Sequence, residues 1–399
     1  MKNIKSIVLI LTLAFLFCFI IKSIVLTLAL VFLFCFINLM PPAYACTGIT
    51  LKAEDGAMVY GRTMQWGKFD LESRILILPR EHQFVTELSR DENVHLPGIR
   101  WTGKYGIVGI DAVNRPIPLD GMNEKGLVAG VFDHPDFAEY VDYDSTMAEK
   151  SMAPTDVVQY LLSTCATVDD VREAIDQILV VNVVEPVIGK TALYHLMVSD
   201  PSGEQIVIEW SQGKPKIFDA ELGIITNSPT YDWHITNLRN YVNISPVGYP
   251  DRNIGSINFS PLGVGSGMIG LPGDFTPPSR FIRAFAFSQT ARATTDGPET
   301  MYELFRILDN FNVPLGPPEE SEDEYIDTSG MRSATVWTTA YDLTNKVIYY
   351  HTQHNRQVRK IDVGSLDFET IRDMQASPLD IVKEQNIEDR TPGKLKVSS

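Results

Sequence analysis

The sequence predicts an α+β fold built on antiparallel sheets. Three observations carry that expectation. Strand-like stretches follow one another through tight turns, which is hairpin connectivity and not a βαβ crossover. Helical periodicity is confined to separate blocks, near residues 154–178 and 279–311. No Pro/Gly/Ser linker divides residues 46–399, so that stretch reads as one domain.

The elements justify themselves in order. "TGITLKAEDGAMVYGRTM" alternates and turns at "EDG", a hairpin signal. "SRILILPR" (73–80), "KYGIVGIDAV" and "GLVAGVFDH" are further strands, and Asn123-Glu124-Lys125-Gly126 is a turn between two of them. Pro154-Thr155-Asp156 opens a helix with proline and an acid in the first turn. Thr167 caps a second, with Asp170 three residues on, close to a capping box. "ALYHLMVSD" and "EQIVIEW" return to strand around the turn "PSG". "SRFIRAFAFSQT" and "PETMYELFRILDNF" read as helices, and 333–353 as a hairpin around "DLTN". Beyond Pro378 the chain is charged and weakly patterned.

Residues 1–45 stand apart. "IKSIVLILTLAFLFCFI" (4–20) is followed at once by the near-copy "IKSIVLTLALVFLFCFI" (21–37), each a basic start and an apolar run. With Ala43-Tyr44-Ala45 as a small-x-small cleavage site, this reads as a signal peptide, and the mature chain as exported, periplasmic or secreted. A retained transmembrane anchor is the competing reading, since each copy nearly spans a bilayer. Cleavage leaves 354 residues without a stable membrane anchor, and losing Lys2, Lys5 and Lys22 takes the formal net charge from −16 to about −19. Such an acidic chain lacks the basic footprint that nucleic acid requires.

Several motifs carry no chemistry. Gly263-Val264-Gly265-Ser266-Gly267 has no Gly-Lys-Ser/Thr after it and reads as a loop. His351 and His354 lack partner ligands, alternate to opposite strand faces, and read as surface histidines. There is no G-x-S-x-G elbow. Cys165, between two helical patterns, reads as a buried apolar thiol, with a bridge to Cys46 as the minor alternative.

Cys46 differs because of where cleavage would leave it. An N-terminal cysteine carries its own base: an α-amine titrates near about 7.7–8.0 and a thiol near about 8.5, so amine can take the thiol's proton. Nucleophile and base then come from one residue. A lipoprotein is the rival reading, since acylation would consume the thiol. Ala43 stands where such signals usually place an aliphatic residue.

"CTGITLKAEDGAMVYGRTMQW" (46–66), "DGMNEKGL" (120–127), "TNSPTYDWHITNLRNY" (226–241) and "GMIGLPGDFTPPSRFIRAF" (267–285), in that order, resemble the choloylglycine hydrolase and penicillin V acylase family. The resemblance implies a four-layer αββα N-terminal-nucleophile hydrolase acting on linear amides. It implies Cys46 as nucleophile and Arg62 beside it, favouring thiolate. It implies Asn227 as an oxyanion donor, Arg280 as a second site arginine, and a backbone N–H at Asp133, or at Phe132, as the other donor. Where many members carry an acid, this chain has Gln65, which accepts a hydrogen bond but brings no charge. Met64, Trp66, Phe69 and Phe132 are the expected lining of an apolar acyl pocket. The implied substrate is a small-molecule N-acyl amide: a conjugated bile acid, penicillin V, an N-acyl homoserine lactone or a ceramide-like amide. No metal or organic cofactor is expected, and a homotetramer is expected by family analogy. The reading from another class is a catalytically dead, lipid-anchored or secreted binding protein.

Overall fold

Two antiparallel sheets carry the site. The computed structural model describes residues 46–68, 70–91, 94–187, 189–314 and 331–391; the leader and Phe69 lie outside them. The first sheet has six strands. They are β1 (Thr47–Lys52), β2 (Met58–Lys68), β10 (Ile224–Ile225), β11 (Met331–Asp342), β12 (Val347–Thr352) and β13 (Arg359–Asp362), in the order β10-β1-β2-β11-β12-β13. The second has eight: β3 (Arg74–Leu78), β4 (Ile107–Ala112), β5 (Arg115–Asn123), β6 (Val128–Asp133), β7 (Tyr194–Ser199), β8 (Gln205–Ser211), β9 (Lys214–Asp219) and β14 (Gln375–Pro378). Their order is β9-β8-β7-β6-β5-β4-β3-β14. Both hairpins expected at "EDG" and "DLTN" are present as β1–β2 and β11–β12.

Helices cover the outer faces. Against the second sheet lie α1 (Val157–Thr164) and α2 (Val168–Ile175), whose apolar side chains join those of Ile107, Val131, Leu196 and Ile208 in one core. Thr167 accepts from the Asp170 N–H and Asp170 reaches back, so the capping box is complete. Against the first sheet lie α4 (Pro277–Gln289) and α5 (Gly297–Leu308), while α3 (Tyr231–Leu238) sits at the edge. Asp296 caps α5 by accepting the Glu299 N–H at 2.9 Å. The inner faces of both sheets share the larger core, so the layer order is helix, sheet, sheet, helix.

Three departures from the sequence reading have local causes. Pro116 and Pro118 hide β5, because prolines normally argue against a central strand. Its pairing with β6 covers only Asp120–Met122, so both prolines fall where no ladder bond is required on that side. A weak apolar stripe hides α3: in "YDWHITNL" only Tyr231, His234 and Leu238 are buried. His351 is buried against Phe305 and not on the surface, because β12 is an interior strand under α5.

The close approach of α5 to β2 depends on Gly61. A Cβ there would stand 2.8 Å from Leu304 Cδ2 and 2.9 Å from the Thr339 carbonyl oxygen. Leu304 is fully buried in that contact. Leu304→Ala is expected to cost about 2–5 kcal/mol of unfolding free energy. A urea or guanidinium midpoint within about 0.5 kcal/mol of the parent would contradict this packing.

Candidate active site

Cys46 immediately precedes strand β1 and is buried. Thr47 pairs with Thr63, so Cys46 faces Met64 on β2, and the two sulfurs are 3.8 Å apart. Arg62 lies two residues before Met64, on the same face of β2. Its guanidinium is wholly buried; Nη1 donates to the Val131 carbonyl at 2.7 Å, and the Phe132 ring lies 4.2 Å from its centre. Gly130 makes room for this crossing between the sheets. A Cβ there would come within 2.6 Å of Asp120 Oδ1 and 3.0 Å of Arg62 Nη1.

The loop after β10 brings Asn227 to the other side of Cys46. Asn227 Oδ1 accepts from the Cys46 N–H at 2.8 Å and from Arg280 Nη2 at 2.8 Å, while Nδ2 donates to the Asp133 carbonyl at 2.9 Å. Arg280, in the first turn of α4, also donates to the Cys46 carbonyl, to Thr47 Oγ1 at 2.9 Å, and through Nε to Phe275 O at 2.8 Å. Cys46, Arg62, Asp133, Asn227 and Arg280 therefore converge from four separate stretches of chain.

Gln65 occupies a different place from the one its alignment suggests. Its side-chain Nε2 donates to Phe311 O at 2.6 Å and to Thr335 Oγ1 at 3.2 Å, away from the thiol. The strand irregularity between Met64 and Gln65 contributes to that orientation. Gln65 acts on the sulfur only through its backbone N–H.

The electrostatics of the thiol are opposed. Burial pushes its pKa up and the Asp133 carboxylate adds to that; Arg62, the Gln65 N–H and Arg280 pull it down, and the net direction is up. Burial also lowers Arg280, though a guanidinium keeps its proton. Asp120, buried behind Arg62, is raised to about 6 by burial despite the cation beside it.

A cavity of about 720 Å³, open mouth included, ends at Cys46. Met64 and Trp66 line it. Phe132 does not; it is fully buried under Arg62, because the strand alternation turns it inward between the sheets. The sequence reading missed much of the wall: Val113, Ile117 and Leu119 from β5 and its turn, with Val187 and Tyr194 opposite. The alternation of Ile117 and Leu119 was the available signal, masked by the intervening prolines. Arg115, ion-paired with Glu185, supplies a polar stretch of the rim.

Cys165 is buried and unbridged, as is Cys46. His134, His195 and Glu209 place ligand-type atoms within 4.8 Å of one another. The two rings stack at 4.2 Å and 15°, however, so their in-plane lone pairs run parallel and do not converge on one ion.

Three buried histidines are held neutral. Burial takes His134 to about 2, His195 to about 3 and His234 to about 4, from 6.5. The unfolded chain binds protons below pH 6.5 that these rings refuse, so their contribution to stability is full above pH 6.5 and falls as pH drops toward 4. His134 has no hydrogen-bond partner on either ring nitrogen. His134→Leu is therefore expected to regain about 2 kcal/mol relative to the parent on going from pH 7 to pH 5. Urea midpoints at the two pH values measure it; a parallel decline of both proteins would refute it.

Residues 46–376 match the family described as linear amide C–N hydrolases, choloylglycine hydrolase family. The chain is 33% identical over 326 residues to a bile salt hydrolase/transferase of Clostridium perfringens, covering 80% of this chain and 92% of that protein. It is 28% identical to a conjugated bile acid hydrolase of Lactobacillus gasseri, covering 82% and 97%. A crystal structure of a mutant conjugated bile acid hydrolase from Clostridium perfringens superposes with a TM-score of 0.72 at 28% identity, covering 86% and 99%. The penicillin V acylase of Agrobacterium tumefaciens shares the fold, with a TM-score of 0.65 at 23% identity over 83% and 90% of the two chains. The exported, periplasmic or secreted placement read from the leader is corrected by these relatives: the bile salt hydrolases are cytoplasmic enzymes, and the family match begins only at Cys46. The leader's apolar pattern satisfied the physics of a signal without a counterpart in that match. On the extent of the match and the agreement of fold, the chain belongs to the choloylglycine hydrolase family and is an amidase acting on linear amides.

Proposed function

We propose that this chain hydrolyses conjugated bile acids with Cys46 as an N-terminal nucleophile, once residues 1–45 are removed. The observation that carries the reading is an apolar cavity ending at the Cys46 sulfur, of a size within the roughly 300–1,000 Å³ usual for small-molecule sites. A rigid, largely apolar acyl group fits Met64, Trp66, Ile117 and Leu119, and the relatives named for bile salts support that choice.

Removal of the leader turns the Cys46 N–H into an α-amine, with Asn227 Oδ1 already 2.8 Å from that nitrogen. The amine takes the thiol proton, which burial otherwise retains. Arg62 and Arg280 favour the resulting thiolate. The thiolate attacks the amide carbonyl carbon, and the carbonyl π pair becomes an oxyanion. Asn227 Nδ2 carries two hydrogens; one faces the Asp133 carbonyl, and the other is assigned to the oxyanion. A backbone N–H at Asp133 is the second donor. The C–N bond then breaks, the ammonium donates its proton to the leaving nitrogen, and a thioester remains. Water, deprotonated by the same amine, attacks the thioester and restores the thiol. No step calls for a metal or organic cofactor.

Exposed Ile254, Ile257, Phe259, Leu262 and Val264 support self-association of the kind expected from the family.

Release of glycine or taurine from conjugated bile acids, against phenoxyacetate from penicillin V, tests the substrate. Faster phenoxyacetate release would transfer the assignment to penicillin V. Cys46→Ser is expected to lower turnover at least about a thousandfold, and N-terminal sequencing of active protein is expected to begin at Cys46. Asn227→Ala is expected to lower kcat by about 10²–10³ with KM little changed. Full activity of any protein retaining residues 1–45, or of either variant, would sink the mechanism.

A further inference from the structure

Asn227 is held by its backbone as tightly as by its side chain. The carbonyl of Thr226, before it, lies 2.9 Å from His195 Nε2. Its own carbonyl, after it, lies 2.9 Å from His234 Nε2. A carbonyl oxygen cannot donate, so each ring carries its proton on Nε2. The peptide planes on both sides of the Asn227 Cα are thus fixed by two imidazoles, and with them the direction in which the amide points.

The two rings come from different elements. His195 is on β7 and His234 on α3. Glu209, on β8, has Oε1 3.5 Å from His195 Nδ1 and accepts the Tyr231 N–H at 2.7 Å. Tyr231 is the first residue of α3, so Glu209 anchors the helix that carries His234; toward His195 it faces the unprotonated Nδ1, to which a carboxylate makes no hydrogen bond. The His234 ring stacks on Phe281 at 4.5 Å and 7°, beside Arg280 on α4. All three polar side chains are buried, and none lines the cavity.

We infer that His195 and His234, the latter on a helix that Glu209 anchors, are positioning residues that hold the Thr226 and Asn227 carbonyls so that the Asn227 amide meets the oxyanion. The inference rests on Asn227 being an oxyanion donor. Packing alone does not require it: an apolar side chain would fill either space but leave a buried carbonyl unbonded. The role also differs from chemistry, since neither ring reaches substrate or sulfur.

A double-mutant cycle tests it. His195→Leu and His234→Leu are made in the parent and in Asn227→Ala, with thermal melts to confirm folding, and bile-acid conjugate hydrolysis is measured. Each single change is expected to lower kcat about tenfold to a hundredfold, less than loss of the donor itself, with KM within about twofold. His195→Gln and His234→Gln, which return an N–H near the Nε2 position, are expected to recover most of the loss. In Asn227→Ala the leucine changes are expected to add less than about threefold. Should a leucine variant not fold, the asparagine variant at the same position, too short to reach the carbonyl, replaces it. Equal losses in both backgrounds, a loss confined to KM, or no rescue by glutamine would overturn the positioning role. Full activity of Asn227→Ala alone would overturn the donor reading on which it stands.

Discussion

A buried guanidinium bonded to neutral oxygens organises this molecule. Arg280 reaches Phe275 O in its own helix approach, Cys46 O and Thr47 Oγ1 at the start of β1, and Asn227 Oδ1 after β10. Burying a cation is costly, and hydrogen bonds from every side are what make it tolerable. The consequence is geometric. Helix α4, strand β1 and the Asn227 loop cannot shift independently without leaving a donor of a buried charge unpaired. Cys46 therefore sits at the junction of three elements whose mutual placement is fixed by one side chain.

Arg62 plays a complementary part from the opposite side. It spans the gap between the sheets, bonded to Val131 O, lying over Phe132 and near Asp120. Burial alone would lower its pKa, yet the surrounding Cys46, Asp120 and tyrosines raise it. The two arginines bracket a sulfur whose protonation burial and Asp133 favour, and they offset that effect only in part. Without Gly130 the Arg62 side chain could not pass, so a residue with no side chain governs the charge environment of the thiol.

The cavity at Cys46 has another origin. It lies where β5 runs past the end of its pairing with β6, and the two prolines that end the ladder also leave Ile117 and Leu119 free to face the opening. The same local irregularity that obscures a strand in the sequence builds the wall of the site. Gln65 shows the reverse case. A strand irregularity carries its amide to Phe311 and Thr335, so an alignment position expected to touch the nucleophile supports the fold instead.

Much was legible without coordinates. Period-2 and period-3.6 patterns, turn residues and the Thr167 cap are local properties, and local physics decides them; they sufficed for the α+β class, both hairpins and four of the five α-helices among the described residues. Four ordered motifs sufficed for the family, and through it they pointed to Cys46, Arg62, Asn227 and Arg280, which the fold brings together. What the sequence could not decide is where side chains from distant segments end up. That His195 and His234 grip the two carbonyls around Asn227, that Phe132 lies under a guanidinium and outside the cavity, and that His351 is interior all depend on which strands pair across gaps of tens to hundreds of residues. Those pairings follow from burial and packing of the whole chain, which no single stretch of it encodes.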